Sequence, residues 1–201
     1  MRSNTIYLNY GPRVGDPIPP NVMKEYLGGH SGAIGNWIHD QYEGCLNYQN
    51  GKGADMNIFT MPWETKSYEI SSKNSSWTIG TSTTKDILTT TYKDIPISDK
   101  CKFMILVGYD VKRYVEISSI DTVDLSNSII QSKLEDYYEI ARQDILSKIA
   151  SKPKSYEKMG DSTGAYFERR ELTEVWAFRI TKPTMKNLIS LANFYSNPCF
   201  G

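Results

Sequence analysis

The run "FMILVGY", residues 103–109, is apolar at every position and constrains the fold more than any other segment. A strand on a half-solvated sheet alternates apolar and polar residues. An unbroken apolar run of this length reads instead as a strand buried on both faces. "DVKR" then turns the chain, and "YVEISSI" returns as a second strand. Upstream, Asn21 is placed to cap a short helix through Leu27, stopped by Gly28 and Gly29. Ser31 is placed to cap a second helix, with Ile34, Trp37, Ile38, Tyr42, Cys45 and Leu46 on one face. Two strands follow, over 54–61 and 63–70, joined near Pro62. Ser126 opens the longest helix, 126–150, which ends before Pro153; the strand "EVWAFRI" and the helix "TMKNLISLANF" close the chain. The expected class is α/β (α+β): a central mixed β-sheet flanked by helices. No internal repeat or boundary divides the 201 residues, so one domain is expected, with residues 1–20 as a Gly- and Pro-rich arm.

Composition narrows the function classes. The 23 basic and 23 acidic residues cancel, which argues against a loosely cationic nucleic-acid binder but leaves room for lysines gathered on one face. Cys45, Cys101 and Cys199 are odd in number and widely spaced, so neither a disulfide framework nor a CxxC metal pair is suggested. No segment has the length and apolarity of a signal peptide or a membrane span. A reduced cytoplasmic setting without a membrane partner is expected.

"GKGADMNIFTMPWETKSYEI", residues 51–70, carries charge where buried strands should not. Side chains two apart on a strand share a face, so Glu64 and Lys66 project together, with Thr65 on the other side. A tight pairing of the two strands brings Asp55 beside Glu64. Two carboxylates with a nearby ammonium suit Mg2+, a hard cation that takes oxygen ligands and keeps several waters. Such an ion polarises a phosphoryl oxygen and lowers the pKa of a bound water. The chemistry implied is metal-assisted phosphodiester hydrolysis.

Asp55 followed by Glu64-Thr65-Lys66, with an upstream helix carrying Glu43, resembles the PD-(D/E)XK nuclease superfamily, particularly the small type II restriction endonucleases. The resemblance implies a restriction-endonuclease-like core acting on double-stranded DNA with Mg2+, for which Mn2+ can substitute. It implies Asp55, Glu64 and Thr65 as metal contacts, Lys66 acting on the attacking water, and Glu43 assisting from the helix. A homodimer on palindromic sites is a further implication. Ala54 departs from the pattern, standing where the family most often has Pro.

The motif itself is short. Chance alone supplies about two acidic-x-Lys matches in a chain of this composition. The second match, Asp110-Val111-Lys112, with Asp99 as its upstream partner, falls between two strands, where turn chemistry accounts for an Asp. His30 and His39 are the only histidines, and His39 reads as a helical surface pair with Glu43. Two polar segments, 71–101 and 152–171, are expected to be loops that contact DNA. The first offers Lys73, Asn74, Ser75, Ser76, Trp77, Ser82, Thr83 and Lys85; the second offers Lys152, Lys154, Arg169 and Arg170. Two other readings stay open: a repair, recombination or RNA-processing nuclease with the same site, and a non-catalytic nucleic-acid- or protein-binding module with an incidental acidic hairpin.

Overall fold

The computed structural model describes residues 11–43, 47–48, 56–58, 61–72, 75–92, 102–149, 158–159, 163–169 and 174–196. The chain is mixed α/β, but where one central sheet is expected there are two. It divides into two compact units, residues 1–73 with 100–124, and residues 74–99 with 125–201.

The first unit opens with α1 (Pro20–Leu27) and α2 (Ala33–Glu43). Helix α1 starts one residue before the expected cap. Pro20 takes a first-turn position, where a missing N–H costs nothing, and Pro19 is the cap residue, with no side-chain hydrogen bond. The strands are β1 (Asn47–Tyr48), β2 (Met56–Ile58), β3 (Met61–Glu69), β5 (Phe103–Asp110) and β6 (Glu116–Asp124), paired in the order β1-β2-β3-β5-β6. All pairings are antiparallel except β3 with β5, which is parallel. The apolar run is β5, in the interior of the sheet and buried from Met104 to Tyr109. Its odd residues Ile105, Val107 and Tyr109 pack with Ile34, Ile38 and Tyr42 of α2 and with Trp63 of β3. Gly35 allows that approach, since a Cβ there would lie 3.0 Å from Ser67 Oγ. Asp110 is turn chemistry as expected: Lys112 N–H and Arg113 N–H donate to its Oδ1 at 2.7 and 3.0 Å. Those bonds to the ionised form hold its carboxyl below the ordinary value.

The second unit contains β4 (Ser76–Thr83), α3 (Thr84–Thr89), α4 (Ser128–Ile149), β7 (Lys158–Met159), β8 (Ala165–Arg169), β9 (Val175–Thr181) and α5 (Lys182–Ser196). Its sheet is antiparallel, in the order β4-β9-β8-β7. The two expected loops are therefore corrected, because 71–101 supplies β4 and α3 while 152–171 supplies β8. Helix α4 begins later than expected and is capped by Asn127, whose Oδ1 accepts from Ile129 N–H and Ile130 N–H at 3.0 and 3.3 Å. The core of this unit is an aromatic group. Tyr138 of α4 stands edge-on to Tyr92, Phe167 and Phe178 at centroid distances of 5.5, 5.0 and 5.4 Å. No helix among the described residues is long and apolar enough to cross a membrane. The three cysteines lie outside the described residues.

Two stability predictions follow from this packing. A Cβ at Gly108 would lie 2.3 Å from Ser119 Oγ and 2.9 Å from the Tyr68 ring and hydroxyl, two groups that hydrogen-bond to each other at 3.0 Å. Gly108→Ala should cost about 1–3 kcal/mol by overpacking, read from the urea midpoint. Burial pushes the Tyr42, Tyr109 and Tyr138 hydroxyls up to about 12. The unfolded chain releases those protons from pH 10 while the folded chain keeps them, so its stability is fully present below pH 10 and falls between pH 10 and about 12. Urea titrations across that range should show the decline, and Tyr42→Phe should make it shallower.

Candidate active site

Strand alternation splits β3 into two faces. Trp63, Thr65 and Ser67 face α2, whereas Glu64, Lys66 and Tyr68 face the other side. Lys66 Nζ donates to Glu64 Oε1 in an ion pair, with side-chain exposures of 27% and 18%. The pair is thus half-buried rather than a solvated rim contact, which makes the attraction stronger and a lost partner more costly. The parallel register sets Glu64 beside Met104 and Lys66 beside Leu106, and both apolar neighbours are buried. Leu106 pairs in turn with Asp121 of β6, which puts a third charged residue on this face. It stands two strand spacings, about 10 Å, from Lys66.

The expected hairpin partner is in place as a strand. β2 runs antiparallel to β3 with Met56 opposite Trp63, Asn57 opposite Pro62 and Ile58 opposite Met61. Asp55 precedes Met56 in sequence and lies outside the described residues. Among the described residues no group of three or more His, Cys, Asp or Glu is gathered for a metal.

Glu43 and Thr65 are the two further residues expected at the site. Glu43 ends α2, which packs on the Thr65 face, across the sheet from Glu64 and Lys66. Its helix therefore does not stand over the pair. The Thr65 side chain is buried on the helix side, leaving the backbone carbonyl as its route to a metal at the Glu64 face. That carbonyl is engaged: His39 Nε2 lies 3.0 Å from the Thr65 oxygen. His39 is thus not simply a surface partner of Glu43. The signal available in the sequence was its place between the core residues Ile38 and Tyr42; which strand it meets depends on tertiary packing.

The residues expected to contact DNA separate sharply. Lys73, Asn74, Lys152, Lys154 and Arg170 lie outside the described residues. Trp77 and Ser82 are buried in β4, so their place on an exposed loop is corrected. Ser75 and Ser76 serve the sheet: the Ser75 carbonyl accepts from Lys182 N–H at 2.8 Å, and Ser76 Oγ is bonded to Tyr166 and Arg179 at 3.0 and 3.1 Å. Thr83 caps α3 in a reciprocal box with Asp86. Arg169 is half-buried on β8, and Lys85 is exposed on α3. No protein-family model matches the chain, and no curated protein matches it.

Proposed function

We propose that the chain is a Mg2+-dependent endonuclease that hydrolyses phosphodiester bonds of double-stranded DNA, of the sequence-specific restriction type. One observation carries the reading: Glu64 and Lys66 project together, in mutual contact, from a strand flanked by an antiparallel hairpin partner and a parallel neighbour. The reading requires Asp55 to stand opposite Glu64, the next step of the ladder in which Met56 pairs with Trp63. The donor set fits the ion. The carboxylates of Glu64 and Asp55 and the Thr65 carbonyl are oxygen donors, the class that Mg2+ takes. Bound Mg2+ would supply Lewis-acid polarisation of the scissile phosphate and a more acidic water.

The chain's own residues do the rest. Glu64 would hold the ion, and Lys66, released from the carboxylate, would orient the attacking water and offset charge on the phosphate. The water oxygen forms the new bond to phosphorus, one ester P–O bond breaks, the water's proton passes to solvent and the leaving oxygen takes one up. A homodimer reading a palindrome suits this reading, with Thr83 and Lys85 as the exposed candidates for DNA contact. The test is incubation of the protein with unmodified duplex DNA, with and without Mg2+. Discrete fragments only with the metal are expected. A smear would point to a repair-type or nonspecific nuclease. No cleavage of duplex, branched or single-stranded substrates in Mg2+ or Mn2+ would overturn the enzyme reading in favour of a binding module.

A further inference from the structure

We infer, resting on the nuclease reading of Glu64 and Lys66, that His39 is a positioning residue of the site: its Nε2–H donates to the Thr65 carbonyl and fixes the peptide between the two charged residues. A carbonyl oxygen only accepts, so the 3.0 Å contact requires the hydrogen on Nε2. The described β2 ladder ends at the Met56–Trp63 pair, and Thr65 follows two residues later. His39 holds β3 just past that point, where the strand presents Glu64 and Lys66.

The bond also aims the carbonyl itself. The Thr65 carbonyl belongs to the peptide that joins Thr65 to Lys66, so a bond that fixes it also fixes the strand that presents Glu64 and Lys66. His39 is well anchored for this task. Ile38 and Tyr42 bury α2 against the sheet, and Gly35 brings the helix within 3.0 Å of Ser67 Oγ for any Cβ at that position. Outer groups that orient metal contacts in this way typically change metal affinity or activity by about 10–100-fold when removed.

The test compares the full-length parent with His39→Leu, His39→Asn and His39→Gln. Three quantities are measured: Ca2+ affinity by calorimetry without DNA, the Mg2+ concentration giving half-maximal cleavage, and KM for duplex DNA. His39→Leu and His39→Asn, the one apolar and the other too short to reach the carbonyl, should weaken Ca2+ binding and raise the Mg2+ requirement about tenfold or more. KM for DNA should stay as in the parent. His39→Gln, which keeps an N–H donor at similar reach, should restore most of the loss, a recovery that a merely structural role would not give. If His39→Leu does not fold, His39→Asn carries the comparison. A parent that binds Ca2+ and cuts DNA while the folded variants match its metal dependence overturns the role of His39 alone. Equal loss in His39→Gln also overturns it. A parent that neither binds Ca2+ nor cuts overturns the nuclease reading and this role with it.

Discussion

Lys66→Ala should lower the single-turnover rate of duplex cleavage by about 10²–10³-fold, the range typical for loss of one group that stabilises charge in the transition state. The distinguishing feature is what happens to the metal. Lys66 holds Glu64 Oε1, so a cation has to displace the ammonium from the carboxylate. Removing Lys66 takes away that competitor. Cation affinity should therefore hold or rise while the rate collapses. Glu64→Gln should lose both together, because on the nuclease reading it removes a metal contact. Stability distinguishes the roles further. The pair is largely shielded, with 27% and 18% of the side chains exposed, so Lys66→Ala should cost about 1–3 kcal/mol in urea unfolding, because it leaves the Glu64 carboxylate without its partner. A Lys66→Ala protein that cuts as fast as the parent would remove Lys66 from the mechanism.

The largest stability effect is expected from Phe167→Ala in the second unit. Phe167 is fully buried, with Tyr138 and Phe178 at centroid distances of 5.0 and 5.2 Å. Truncation removes the ring and leaves a cavity that the strands β8 and β9, fixed by their ladder, cannot fill by collapse. The loss should be about 3–5 kcal/mol. That is a large part of the roughly 5–15 kcal/mol that stabilises an ordinary domain. A drop in urea midpoint corresponding to less than about 1 kcal/mol would show that the aromatic group is not the centre of this core.

The parts of the fold legible in the sequence are those where burial is written at every position or in strict period. "FMILVGY" announced β5 because both of its faces are covered, and the spacing of Ile34, Ile38 and Tyr42 announced α2. Strand β4 was not legible, because "SSWTIGTST" buries only Trp77 and Ser82 and looks like a solvated loop until β9 pairs with it. Strand β8 was hidden for the same reason: Ala165, Tyr166 and Phe167 form a run of only three apolar residues in a charged stretch. Separation into two sheets cannot be read from local pattern, since the strand order is set by long-range pairing. At the site, period-two alternation was enough to set Glu64 and Lys66 on one face. The face of the sheet that α2 covers was not, which is why the contact of His39 with the Thr65 carbonyl was not foreseen.

The central claim is that Glu64 shares a cation with Asp55, and cation binding by single-carboxylate variants tests it most directly. Calorimetric Ca2+ titrations of the parent, Asp55→Asn, Glu64→Gln and Glu69→Gln should give one site per chain in the parent. Affinity should fall about tenfold or more in the first two variants. Glu69→Gln is the control: its carboxylate lies on the opposite face of the same strand, where it accepts from the Tyr26 hydroxyl at 3.3 Å, so parent-like binding is expected. Equal affinity in all four proteins, or no binding in the parent, would contradict the account.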